Sequence, residues 1–199
     1  RFKSELATEL AAVLTMSAVR NNDRVGALLF TDRVEHFVPP RKGRRHALRI
    51  LRDVLVHEPK GTGTDTPLAL DFLRGLLKQH AIIFLISDLQ DPGLERSLKL
   101  LGQRHDLVVA TLDDPSETTL PDIGMARFVD PESGETLDVD TSDPAVRSAY
   151  DQLSTAERDA RRAMLRRLAI DEIPISPAGG YIEPLLRFFR ARERRAARG

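Results

Sequence analysis

The chain has 199 residues, with 30 basic and 30 acidic side chains, 41% hydrophobic residues and no cysteine. Balanced charge excludes a global field that would draw it to nucleic acid or an anionic membrane, and the missing Cys excludes a disulfide framework and a thiolate metal site. No signal peptide and no apolar run near the roughly 18 residues of a membrane span is found, so the piece reads as soluble and cytoplasmic. It opens at Arg1 directly in a helical pattern, as a piece of a longer protein would.

Leu6, Leu10, Val13, Leu14 and Val19 recur near a 3.6-residue period and predict a helix over 3–21, stopped by Asn21-Asn22-Asp23. "RVGALLF" (24–30) predicts a buried strand. A turn at Thr31-Asp32 leads to a short edge strand ended by Pro39-Pro40. "RRHALRILRDVLVHE" predicts an amphipathic helix with Leu48, Leu51 and Leu55 on one stripe, and "LALDFLRGLLKQH" a second helix. "AIIFLISDLQD" (81–91) opens on an unbroken apolar run, Ala81 to Ile86, a parallel strand buried on both faces, closed by Ser87 and Asp88. A helix ending near Gly102, the strand "DLVVATLDDP", a surface hairpin over about 123–140 turning at Pro131-Glu132-Ser133-Gly134, a charged helix over about 143–168, the strand "IDEIPIS" and an Arg-rich closing helix complete the chain. Alternating strands and helices predict one α/β domain, 1–199, with a mostly parallel sheet.

In such sheets ligands bind beyond the carboxyl ends of the strands. Asp88 stands at one such end. The Gly-Thr-Gly-Thr-Asp loop, 61–65, delivers Thr64 and Asp65 to another. A hydroxyl and carboxylates from separate loops are hard oxygen ligands of the kind Mg²⁺ or Mn²⁺ takes. Gly61 and Gly63 would let that loop approach closely. The competing reading makes Asp65 the N-cap of the helix after Pro67, and Asp88 a cap for the helix starting near Pro92.

The segments "NNDRVGALLFTDRVEHFVPPRKGRRHALRILRDVL", "GTGTDTPLALDFL", "IIFLISDLQD", "RHDLVVATLDDPSE" and "LPDIGMARFVDPESGE" together resemble an uncharacterised bacterial family with a von Willebrand factor A-like domain encoded beside MoxR-type AAA+ ATPases. The resemblance implies a doubly wound α/β fold and a cation site built from three loops, with Thr64 as the second-loop Thr and Asp88 as the third-loop Asp. It also implies an Asp-x-Ser-x-Ser first loop, which occurs nowhere in this sequence and would lie upstream of Arg1, together with a central strand between 24–30 and 81–87. Two strands flanking an absent one lie about 10 Å apart. The expectation is therefore weak or absent Mg or Mn binding by this chain, and marginal stability or self-association through exposed strand edges. Longer members of that family often carry membrane-spanning helices upstream, so the parent protein is expected to be anchored.

Arg41, Lys42, Arg44, Arg45 and Arg49 cluster at one helix start, and Arg187, Arg190, Arg192, Arg194, Arg195 and Arg198 crowd the closing helix. Overall neutrality and the scarcity of aromatics suited to stacking favour a partner surface over nucleic acid. Because cations at a helix start oppose its dipole, Arg41, Arg44 and Arg45 are the candidate docking patch. The resulting reading is a non-catalytic binding module that engages an acidic side chain of a protein ligand, with a MoxR-type ATPase as the partner the resemblance implies. The alternatives are a Mg²⁺-dependent phosphoryl-transfer enzyme using Asp88, with Asp65 and Asp113 nearby, or a structural domain with a vestigial site. Against the enzyme stand five scattered histidines and no G-x-x-x-x-G-K-[ST] loop.

Overall fold

The apolar runs of the sequence become the middle layer of three. A computed structural model describes residues 3–113, 119–129, 134–177 and 179–196. In chain order the elements are α1 (Lys3–Arg20), β1 (Val25–Phe30), β2 (Val34–Arg41), α2 (Arg44–Val56), α3 (Thr66–Leu76), β3 (Ile82–Ser87), α4 (Leu94–Gly102), β4 (Asp106–Leu112), β5 (Met125–Val129), β6 (Thr136–Asp140), α5 (Pro144–Arg167), β7 (Asp171–Ile175) and α6 (Ile182–Ala196).

Strands β3, β4 and β7 form a parallel sheet in that order. The period-2 alternation of a strand divides its side chains between two covering layers. Leu85, Leu107 and Val109 face one way, onto Leu70 of α3, Leu94, Leu98 and Leu101 of α4 and Leu165 of α5. Val108, Ala110, Leu112, Ile173 and Ile175 face the other way, onto Leu6 and Leu10 of α1 and Leu185 and Phe188 of α6. Helices on both faces of a parallel sheet confirm the α/β reading, and β4, buried along nearly its whole length, is its centre.

The sheet is not continuous. β1 pairs only with β2, antiparallel, in a separate two-stranded sheet; no strand pairing joins β1 to β3 among the described residues. Each of these strands therefore keeps one unpaired edge. β3 is correspondingly less enclosed than its sequence predicts, with Ile82 exposed and only Leu85 fully buried.

Three local expectations are corrected. β2 does not stop at Pro39-Pro40 but runs through both to Arg41. The register slips between Val25 and Ala27 opposite these prolines, so the missing N–H groups fall at an irregularity. Gly26 lies there so close to Val38 that a Cβ would come within 2.7 Å of the Val38 carbonyl oxygen. In α2 the buried stripe is Ala47 and Ile50; Leu48 and Leu55 are exposed and Leu51 is half-buried, so the longest apolar side chains face outward. α3 ends at Leu76, short of the predicted His80.

β5 and β6 form the predicted surface hairpin, Met125 opposite Asp140 and Val129 opposite Thr136. Its turn residues 131–133 lie outside the described residues, and Gly134 takes a left-handed φ of 73°. Buried Thr141 secures its base: its hydroxyl donates to the Gly124 carbonyl at 2.7 Å and accepts from the Ile123 N–H at 3.0 Å. No helix among the described residues is long and apolar enough to cross a membrane.

Candidate functional site

The loop before α3 is tied down at each end. The Glu35 side chain, 3% exposed, reaches from β2 to accept from the Lys60 and Gly61 N–H groups at 3.0 and 2.8 Å and from the Thr31 hydroxyl at 2.8 Å. These donors, Thr31 foremost and then the Gly61 amide, hold its carboxyl below the ordinary carboxylate value. The Asp65 N–H then donates to the Thr31 carbonyl at 2.9 Å, at the carboxyl end of β1. Gly61 is obligatory in this packing, because a Cβ there would overlap the Thr31 hydroxyl and the Asp32 carboxylate; Gly63 has no such neighbour.

α3 then begins with two carboxylates. Asp65 accepts the Leu68 N–H at 2.8 Å, the N-cap reading of the sequence. Asp91, from the segment after β3, accepts both the Thr66 N–H at 3.2 Å and the fully buried Thr66 hydroxyl at 2.5 Å. This second tie joins the Thr64-Asp65 loop to the loop that carries Asp88, so the carboxyl ends of β1 and β3 share one platform.

Asp88 itself caps no helix; α4 opens instead on Gly93 in a left-handed conformation. Its carboxylate is 36% exposed and lies 3.4 Å from the Lys3 ammonium of α1. Behind it, Arg161 of α5, 12% exposed, donates to the Asp88 carbonyl at 2.9 Å and pairs with Asp113 at the end of β4. Leu89 completes the bend with a φ of 58°, uncommon for a residue with a side chain. Its N–H is taken by the Ser87 hydroxyl at 3.0 Å, while its side chain is anchored in the core.

The fit of a divalent cation follows from these contacts. Mg²⁺ or Ca²⁺ requires roughly six oxygen ligands. Asp65 is engaged as a cap, Asp91 accepts twice from Thr66, and Asp88 faces an ammonium. Among the described residues no group of three or more His, Cys, Asp or Glu side chains is placed to hold a metal. Among the described residues, these side chains do not by themselves make a divalent-ion cage.

Arg41, Arg44 and Arg45 stand exposed at the end of β2 and the start of α2, where Gly43 provides no side-chain cap and no acidic residue occupies the first turn. The Arg-rich α6 is different. Arg192 pairs with Asp106 and covers the Phe188 ring, and Arg195 pairs with Asp171 at 3.1 Å, so these arginines fasten α6 to the starts of β4 and β7. Arg198 lies outside the described residues. Sequence reasoning missed Lys3, Glu35, Asp91 and Arg161. Only Glu35 carried a local hint, as an acidic residue next to Val34 near the start of a strand.

A parallel sheet covered on both faces, with hydroxyl and carboxylate loops at its carboxyl edge, defines the class: a three-layer α/β domain with its polar platform at the strand ends. Two solved structures share the fold. The conserved hypothetical protein BatB from Bacteroides thetaiotaomicron superposes with a TM-score of 0.51 at 14% identity. An aerotolerance-related membrane protein from Bacteroides fragilis does so with 0.50 at 16%; in each case 83% of this chain and 88% of the other is covered. The chain belongs to the family described as "Protein of unknown function DUF58", which matches residues 1–160. The uncharacterized proteins Rv1480 of Mycobacterium tuberculosis and Mb1516 of Mycobacterium bovis are each 28% identical over 200 residues, covering 99% of this chain. The chain spans 63% of the length of these relatives.

Proposed function

We propose that this chain is a non-catalytic protein-binding module of the von Willebrand factor A type, which works with a MoxR-type AAA+ ATPase in the assembly or chaperoning of protein complexes. The observation that carries the reading is the platform at the strand ends. Glu35, Thr31 and Asp91 fix the Thr64-Asp65 loop against two strand termini, leaving Asp88 partly open to solvent beside it. A rigid polar edge with few free carboxylates suits recognition of another protein better than acid–base chemistry. The partner chemistry that fits is acidic, because Arg41, Arg44 and Arg45 make no ion pair with any described carboxylate. Mg or Mn is expected to bind this chain weakly or not at all.

The test is direct binding of a purified MoxR-type ATPase from the same genome, followed by fluorescence anisotropy. Arg44→Glu with Arg45→Glu is expected to weaken binding at least about tenfold, a difference of about 1.4 kcal/mol. Unchanged affinity in this variant, with unchanged circular dichroism, rejects the reading.

A further inference from the structure

We propose that Lys3 is the built-in cation of the Asp88 site: its ammonium holds the carboxylate in place of a divalent ion and keeps such an ion out. The inference rests on the reading of this sheet edge as the binding edge, and deepens it by assigning how its charge is balanced.

The two groups are 85 residues apart in sequence, so only the fold brings them together, at 3.4 Å. Both are held by rigid elements. Lys3 belongs to α1, whose Leu6, one turn further on, and Leu10 are completely buried against the sheet. Asp88 is fixed from the opposite side by the Arg161 bond to its carbonyl and by the bend at Leu89. The Lys3 side chain is 25% exposed, so the pair is neither a fully solvated surface contact nor a buried one. A divalent ion approaching Asp88 would meet a like charge within a few ångströms, and among the described residues Asp65 and Asp91 already accept hydrogen bonds from α3. One positive charge fixed by the fold thus does what the poor ligand set could not, neutralising Asp88 without an ion.

The experiment is a Mn²⁺ titration of the full chain, by calorimetry and by the electron paramagnetic resonance signal of free Mn²⁺, with no partner present. Lys3→Gln is expected to bind Mn²⁺ at least about tenfold more tightly than wild type. Lys3→Gln with Asp88→Asn is expected to lose that gain, and Lys3→Arg to behave as wild type. Lys3→Gln binding no better than wild type overturns the proposal, as does a gain that survives loss of the Asp88 carboxylate. Tight wild-type binding abolished by Asp88→Asn alone overturns it as well. Circular dichroism melting of each variant confirms folding, which a partly exposed pair should influence little. ATPase binding is measured separately, so loss of the Lys3 effect with intact partner binding rejects only this inference. The reverse result rejects only the binding-module reading.

Discussion

Arg161 is a tightly held charged side chain near the site. Its two terminal nitrogens hold a backbone carbonyl and a carboxylate from different strands, and its Nε is buried without a hydrogen-bond partner. Removing it leaves Asp113 unpaired in a largely enclosed position, so Arg161→Met is expected to lower stability by about 3 kcal/mol in urea unfolding. A loss no larger than that of an exposed arginine would show that the bridge is slack. His105 is a second residue with a measurable signature. It is buried at the start of β4 with neither ring nitrogen hydrogen-bonded, and burial, then the charges of Arg104 and His80, push its pKa down. The folded protein thus keeps His105 neutral while the unfolded chain takes up a proton near its ordinary value of about 6.5. Stability is fully present above that value and is lost as pH falls from there through the depressed folded value. The urea midpoint is expected to fall between pH 7 and pH 5, and to fall less in His105→Leu. An equal fall in both proteins would assign the effect elsewhere. Carboxylates such as Glu35 and Asp53, whose pKa values are lowered, lose their contribution only at more acid pH.

At the scale of elements, the loop ahead of α3 gives a paired prediction. Gly61→Ala would drive a methyl group into Thr31 and Asp32 and is expected to destabilise by about 1–3 kcal/mol. It should also accelerate exchange of the Asp65 amide, which bonds the Thr31 carbonyl. Gly63→Ala meets nothing nearer than 3.9 Å and is expected to stay within about 0.5 kcal/mol of wild type. Equal effects would mean that the loop is not pressed onto β1. The sequence made part of this legible. The run 81–87, the cap at Asp65, the hairpin at 125–140 and the long helix from Pro144 all follow from local pattern, because apolar period and capping chemistry act within a few residues. The stripe of α2 did not follow, since periodicity shows that a helix has an apolar side but not which of two adjacent stripes finds the sheet. Lys3 and Arg161 were illegible for a different reason. They meet Asp88 across 85 and 73 residues, and such pairs leave no trace in spacing.

For the whole molecule, the decisive feature is that, among the described residues, β1 and β3 each pair on one side only. Their unpaired N–H and C=O groups, with exposed Ile82 beside them, form a template for another strand. We propose that the isolated chain is marginally stable or self-associates in this way, and sedimentation velocity is expected to show reversible, concentration-dependent association. A single monomeric species at all concentrations, with a high melting temperature, would count against it.

The prolines of β2 and β7 set a limit on such association. β2 carries Pro39 and Pro40, and β7 carries Pro174, each on a strand paired on one side only among the described residues. A proline offers an incoming strand no donor, so these outer margins are poor templates. "VGALLF" and "IIFLIS", the strands β1 and β3 with unpaired edges, contain none. Association through the unpaired edges of β1 and β3 is therefore expected to be favoured over association through the outer margins of β2 and β7.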